Sequence, residues 1–343
     1  MRIGCDTVEE GRFCRRRIRS LNLSGKVRRV ESRAFSECGS LKEVTFSEGL
    51  ESIGSFAFQD SPLIRRFHLP STLAEIEEDA FFIGYEGILE EFAVHPDNPA
   101  YRSVDGVLFS KDMGTLIQFP QSKDLASYEV PETVRSIAPD AFAYARKLER
   151  IDLPEGLESI GSGAFEWCES LRSISIPDGV KEVPSYAFFC CYSLEEAELP
   201  DRLDHLGFES FANCTMLKEF DIPPGFDQLD YAILGGCEAL ERVSIPEGVA
   251  EVNNSAFLGC SSLKEVRLPS TVVAMWEKAF AGCRSLEEIN IPPEVYHVSD
   301  DVFQGCESLR RIVVEGTIGS RYWVPEGAEV VQSGLSPPGK NLV

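Results

Sequence analysis

The sequence predicts an α/β repeat solenoid built from 23-residue units, with one parallel β-sheet and one inserted β-hairpin. Three observations carry this. Seven cysteines, Cys168, Cys191, Cys214, Cys237, Cys260, Cys283 and Cys306, recur every 23 residues. A phenylalanine stands three residues before most of them (Phe165, Phe188, Phe211, Phe257, Phe280, Phe303), and the frame extends back to Phe142, Phe81, Phe58 and Phe35. A leucine follows three residues after each cysteine, from Leu171 through Leu194, Leu217, Leu240, Leu263 and Leu286 to Leu309. A fixed period of this length marks stacked units, none of which can bury its apolar side alone. The 343 residues would suggest two globular domains, but a repeat array grows in one dimension.

One unit shows the logic of each element. Leu171, Ile174 and Ile176 are apolar and Ser175 between the last two is polar, the alternation of a short strand with one face buried. Pro177 cannot donate to a ladder and ends the strand. Gly179 allows a turn. Val180 with Val183, and Ala187-Phe188 with Cys191, are apolar three apart, which predicts one turn of helix or 3₁₀ structure packing inward. The frame puts strand centres at Asn22, Thr45, His68, Glu129, Asp152, Ser175, Glu198, Asp221, Ser244, Arg267, Asn290 and Val313, with another strand near Glu91–Val94. Roughly thirteen strands at ~4.8 Å spacing give a curved, single-layered sheet roughly 60 Å along its spine.

The register breaks once. Phe81 and Phe142 lie 61 residues apart, two periods plus 15. The surplus falls at about residues 95–125, where Asp105-Gly106 is a hairpin dipeptide flanked by Val104 and Val107-Leu108-Phe109. A hairpin projecting from the solenoid is expected, either as a binding element or as a tolerated insertion. The expected organisation is an N-terminal cap over 1–17, the solenoid over 18–332 and a disordered tail over 333–343.

The motif Leu171-x-x-Ile174-x-Ile176 resembles the first half of a leucine-rich repeat. It departs from the common form at Gly179, which stands where Asn or Cys is usual, and at Val180, one place early. The stretch Ile176 to Cys191, reading I-P-x-G-V-x-x-V-x-x-x-A-F-x-x-C, is similar to the BspA-like (Treponema-type) leucine-rich repeats of bacteria. Asn98-Pro99-x-Tyr101 followed by Asp105-Gly106-Val107-Leu108 resembles a segment found in the same proteins. The likeness runs roughly from Ile18 to Val314. It implies the solenoid fold and a role in protein binding or cell adhesion, since characterised members are mostly surface proteins that bind host matrix or other cells. It also implies the cell surface or secretion, whereas the first residues show no apolar run of signal-peptide length and read as cytoplasmic at face value.

Charge narrows the partner. The net charge is −23, which disfavours nucleic acid and anionic membranes. Residues 1–33 alone carry ten basic and four acidic side chains, a local +6 that reads as a solvated cap or as an interaction tail. No apolar run is long enough to insert in a membrane. Eleven cysteines cannot all pair, and a column of thiols lacks the converging geometry of a zinc site, so buried, reduced thiols are expected and no cofactor or metal. His68, His95, His205 and His297 are scattered and no phosphate-binding or nucleophile motif occurs, so no catalytic residue is assigned.

The open sheet face is the remaining candidate. Glu195, Glu196, Glu198, Glu219 and Asp221 fall between buried positions on neighbouring strands and are the expected protein-binding residues, suited to a basic partner. The competing readings are carboxylates that only keep the solenoid soluble, and a structural protein whose basic N-terminal end meets the acidic surface of another copy. A carbohydrate-active β-solenoid enzyme is also weighed; it should show more strands per coil. Oligomeric state is left open.

Overall fold

In the computed structural model, residues 2–3, 5–315 and 328–332 are described. They divide into two compact units, residues 1–169 and 170–343. The tail expected over 333–343 lies outside the described residues.

Unit 1 opens with a row of parallel strands, Arg2–Ile3, Ser20–Leu23, Glu43–Thr45, Arg66–Leu69 and Glu91–Val94. Leu21 and Leu23 are buried while Ser20 and Asn22 are exposed, the alternation a pleated strand requires. Unit 2 repeats this row at Ser173–Ser175, Glu196–Glu198, Glu219–Asp221, Arg242–Ser244, Glu265–Val266, Glu288–Ile291 and Arg311–Val314. The expected strand centres lie in strands except Arg267, just past Glu265–Val266. The described residues of the expected cap already form coil: Thr7–Val8 pairs with Arg29–Val30 as Arg2–Ile3 pairs with Asn22–Leu23.

The expected helical turn is absent. Glu182–Val183 is instead a two-residue strand, one of a second parallel row that recurs in every regular coil, as at Ser52–Ile53, Ser159–Ile160 and Glu251–Val252. Ala187–Cys191 is a chain of turns, and the described residues contain no helix. The reason lies in the backbone: Tyr186 and Cys190, four residues apart, both take the left-handed conformation (φ 61° and 59°), which no right-handed helix passes through. The same pair recurs as Arg33 and Glu37, Asp140 and Tyr144, and Glu209 and Asn213. Between these residues alternate N–H groups point at the next coil; Tyr186, Phe188 and Cys190 donate to Phe208, Ser210 and Ala212 at 3.0, 2.8 and 2.9 Å. Such bonds offset the cost of left-handed non-glycine residues. The second row also removes strand count as a distinction from an enzymatic parallel β-helix.

The core is columnar. Phenylalanines stack coil on coil, Phe13–Phe35–Phe58 at 5.4 and 5.7 Å, Phe119–Phe142–Phe165 at 5.3 and 5.2 Å, and Phe188–Phe211 at 4.9 Å in unit 2. The eleven cysteines are thiols, and the periodic seven are buried. Their position has a polar reason besides volume: Cys168, Cys214, Cys237 and Cys260 each donate to the carbonyl 26 residues upstream, at 3.2–3.3 Å. Ser61 takes a cysteine position and donates to Phe35 O at 3.1 Å in the same way. Burial raises these thiols well above the ordinary range, to about 12 for Cys237, so the reactive thiolate is suppressed.

The irregular segment does not stand off as an isolated hairpin. Tyr101–Val104 and Val107–Ser110 are antiparallel about Asp105-Gly106, and Thr115–Gln118 adds antiparallel to the second of them. Thr115–Gln118 then pairs parallel with Ser136–Ile137, so this three-stranded meander runs into the second row of strands. Asn98 ties it down. Its Nδ2 donates to Pro70 O and Leu73 O at 2.7 and 2.8 Å, and its Oδ1 accepts from the N–H groups of Ala100 and Tyr101 at 2.9 and 2.7 Å.

Candidate functional site

The five acidic residues singled out from the sequence come together in unit 2 along one shallow trough of about 650 Å³. Glu196 and Glu198 flank half-buried Ala197, and Glu219 and Asp221 flank buried Phe220, so all four project from the sheet face. Glu195, just before the first strand, is half-buried. The trough is completed by Leu199, Asp201, Lys218, Ile222, Pro223 and Pro224.

The trough lies where the coils are splayed. The hydrogen-bonded first row ends at Glu196–Glu198 and resumes at Glu219–Asp221, and the second row breaks at the same interface, between His205–Leu206 and Gln228–Leu229. The turns beyond stay joined, Glu209 and Phe211 each donating to the next coil (Tyr231 O and Ile233 O) at 3.0 Å, and Asn213 to Gly235 O at 2.7 Å. The 23-residue register sets Glu196 opposite Glu219 and Glu198 opposite Asp221 across the opening. Like charges directly opposite on adjacent strands disfavour pairing. The Lys218–Glu195 ion pair at 3.7 Å and a contact between the His205 ring and the Asp230 carboxyl at 3.7 Å straddle the opening. Desolvation raises the Asp230 carboxyl, with His205 opposing it.

The charge pattern along the face is mixed. One position per coil alternates in sign through unit 2: Arg172, Glu195, Lys218, Glu241, Lys264, Glu287, Arg310. Neighbours along it pair, Arg172–Glu195 at 3.5 Å and Lys264–Glu241 at 2.9 Å, and the Lys264 ammonium holds the Glu241 carboxyl below its ordinary value. In the adjacent column Glu219 pairs with Arg242 and Glu288 with Arg311. Of the five candidates, Glu195 and Glu219 are thus compensated. Glu196, Glu198 and Asp221 have no cationic partner among the described residues. The uncompensated charge is three carboxylates, beside the apolar rim of Leu199, Ile222, Pro223 and Pro224. The rim and Asp201 were missed in the sequence. The signal available was Pro223-Pro224, shared with Pro292-Pro293, where most other coils have one proline before a polar or charged residue.

Asp221 also lines a second groove with Arg242, Ser244, Glu247, Glu265 and Arg267, of about 570 Å³, so the face continues from acidic into mixed charge along the strands. Among the described residues no three His, Cys, Asp or Glu side chains converge to hold a metal ion, and no helix is long and apolar enough to cross a membrane.

The sequence matches the family description "BspA type Leucine rich repeat region" in six copies, over residues 6–86, 117–241 and 230–321. The match skips 87–116, which holds the first two strands of the meander. Among solved structures the chain is similar to a leucine-rich repeat protein from Eubacterium ventriosum, at 20% identity over 77% of this chain and 76% of that one, with a TM-score of 0.64. It is also similar to the pneumococcal vaccine antigen PcpA, at 23% identity over 93% of this chain and 69% of that one, with a TM-score of 0.61. At these identities the likeness is one of fold. No curated protein matches.

Proposed function

Because the chain belongs to the BspA-type leucine-rich repeat family, we propose that it is a non-enzymatic, adhesin-like binding scaffold that takes a basic protein segment in the acidic trough of unit 2. The observation that carries this reading is the juxtaposition of Glu196, Glu198 and Asp221, uncompensated and exposed, with an apolar rim at the splayed interface. A partner's lysines or arginines meet the carboxylates while its apolar side chains lie on Leu199 and Pro224. A concentrated negative potential speeds encounter with such a partner and fades as salt rises. The meander around Asp105-Gly106 is a second contact under this reading.

One observation favours a self-assembling protein as the second reading. Arg16, Arg17 and Arg19 on the first coil are exposed and form no ion pair among the described residues, and they are complementary to the trough of another copy.

The test is a salt titration of binding to a lysine- and arginine-rich peptide. Replacing Glu196, Glu198 and Asp221 together with serine should weaken binding about tenfold at low salt, from ~0.5 kcal/mol per exposed pair. It should also flatten the salt dependence and leave the melting temperature unchanged or slightly raised, since like-charge repulsion is removed. Affinity and salt slope identical to the parent chain would remove the trough as the site.

A further inference from the structure

One cavity of unit 1 lies where a turn is too short. In a regular coil four residues separate the second-row aliphatic residue from the core phenylalanine, as Ala138, Pro139, Asp140 and Ala141 do between Ile137 and Phe142. In the coil before it, Leu116 pairs with Ile137, and Phe119 N–H donates to Ala141 O at 2.7 Å as a core phenylalanine does. Only Ile117 and Gln118 lie between them, so this turn lacks two residues. The space they would fill is a cavity of about 310 Å³ between the turns at Glu77–Phe81 and Ala138–Asp140.

The walls of the cavity come from three sources. Ile76, Phe81, Ile117 and Pro139 make it apolar. Asp79 and Asp140, which occupy the same turn position in their own coils, meet across the gap because the residue that should separate them is missing. Asp140 packs on its other side against Gly163, where a Cβ would collide with its carboxylate. The main-chain N–H groups of Asp79 and Phe81 find no acceptor among the described residues, whereas those of Asp140 and Phe142 donate to the next coil at 3.0 and 2.7 Å. The vacancy therefore keeps the hydrogen-bonding edge of a turn.

We propose that this vacant turn position is a docking slot for one cationic side chain, a lysine or arginine presented on an extended partner segment. The methylene stem lies on Ile76, Phe81, Ile117 and Pro139, the charged head sits between Asp79 and Asp140, and a carbonyl of the segment accepts from Phe81. Charge complementarity selects this occupant. The charged groups acting on Asp140 are the carboxylates of Asp79, Glu166 and Glu78, and beyond them Tyr144 donates its hydroxyl to Glu166 at 3.1 Å, with Tyr85 packed against it. Burial and these carboxylates push Asp140 up to about 8, so at neutral pH a proton stands where the ammonium or guanidinium would. A neutral occupant leaves that proton in place; a cation displaces it. The slot lies in unit 1 and does not depend on the trough.

The experiment uses the full chain and two probes, N-acetyl-Gly-Lys-Gly-amide and the same peptide with norleucine for lysine, with binding read by calorimetry and carboxyl NMR. The lysine peptide should bind and the norleucine peptide should not. Affinity should rise as pH climbs towards 8, by up to about tenfold per unit for one displaced proton, and the Asp140 carboxyl should titrate lower in the complex. Asp140→Asn should abolish binding, as should inserting two residues between Ile117 and Gln118, which restores the regular turn. Replacing Glu196, Glu198 and Asp221 with serine should change nothing here. Equal binding of both peptides, or binding indifferent to Asp140→Asn, overturns the proposal. Loss of binding only in the trough variant would also overturn it, while leaving the trough reading standing. If Asp140→Asn does not fold, Asp79→Asn and the titration of Asp140 in the parent chain decide.

Discussion

Replacing Phe211 with alanine should lower the stability of unit 2 by ~3–5 kcal/mol. The ring is fully buried, stacks on Phe188 at 4.9 Å and meets Phe220 edge-on at 4.9 Å. The next coil places Leu234 in the same column, so no further ring can slide into the space. The location amplifies the loss. Across this interface both strand rows are open, and the turns carrying Phe211 supply three of the hydrogen bonds that still join the coils. The Phe211 carbonyl also receives the Cys237 thiol at 3.2 Å. The damage should therefore spread to neighbouring coils, as nearest-neighbour coupling in a solenoid requires. Guanidinium unfolding should show the loss, and hydrogen exchange should rise first at residues 205–240. An unchanged melting transition would mean that the ring does not hold the column.

Asn98→Ala should cost about 3 kcal/mol or more, because two carbonyls and two N–H groups lose partners at once and each buried group left unsatisfied costs about 1–3 kcal/mol. Asn98 is fully buried, and its four hydrogen bonds join the meander to the coil at Pro70–Leu73. Tyr101 depends on that clasp: its hydroxyl accepts from Ile76 N–H at 2.9 Å. Asn98→Asp keeps the accepting oxygen but removes the donor to Pro70 and Leu73, and should be nearly as harmful. Proteases should then cut within 99–114 under conditions that leave the parent chain intact. A loss below about 1 kcal/mol, with no new cleavage, would show that the meander is held by its strands alone.

The columns of Phe and Cys were legible because a repeated residue at a repeated step needs no knowledge of the backbone. What the cysteines do beyond filling space was less so, since periodicity reports apolarity and not donors. Ser61 at a cysteine position was the clue that a hydrogen bond is wanted there. The helical turn expected at Ala187–Cys191 failed for a physical reason. Apolar residues three apart fit a helix and a string of turns equally well, and left-handed Tyr186 and Cys190 carry no signature of composition, unlike Gly236 or Gly259 at the same step.

The acidic face was read coil by coil, as Glu195, Glu196 and Glu198 beside Glu219 and Asp221. Followed instead from coil to coil, the position of Glu195 alternates in sign and the adjacent column pairs Glu219 with Arg242, which leaves only three of the five carboxylates uncompensated. The splayed interface could not be read from the 23-residue step, which runs through it unchanged. The short turn was half visible in the 61 residues between Phe81 and Phe142. Phe119 stands one 23-residue step before Phe142 and so was readable as the intervening core position, but that the second-row residue before it is Leu116, two residues late, emerges only from its pairing with Ile137.

Hydrogen–deuterium exchange of the full chain, with and without a saturating basic peptide at low salt, tests the trough most directly. Protection is predicted at residues 195–201 and 218–224, on both lips of the splayed interface, and should vanish when Glu196, Glu198 and Asp221 are serine. Protection that leaves both lips unchanged while the peptide is demonstrably bound would contradict the assignment of the trough as the binding surface.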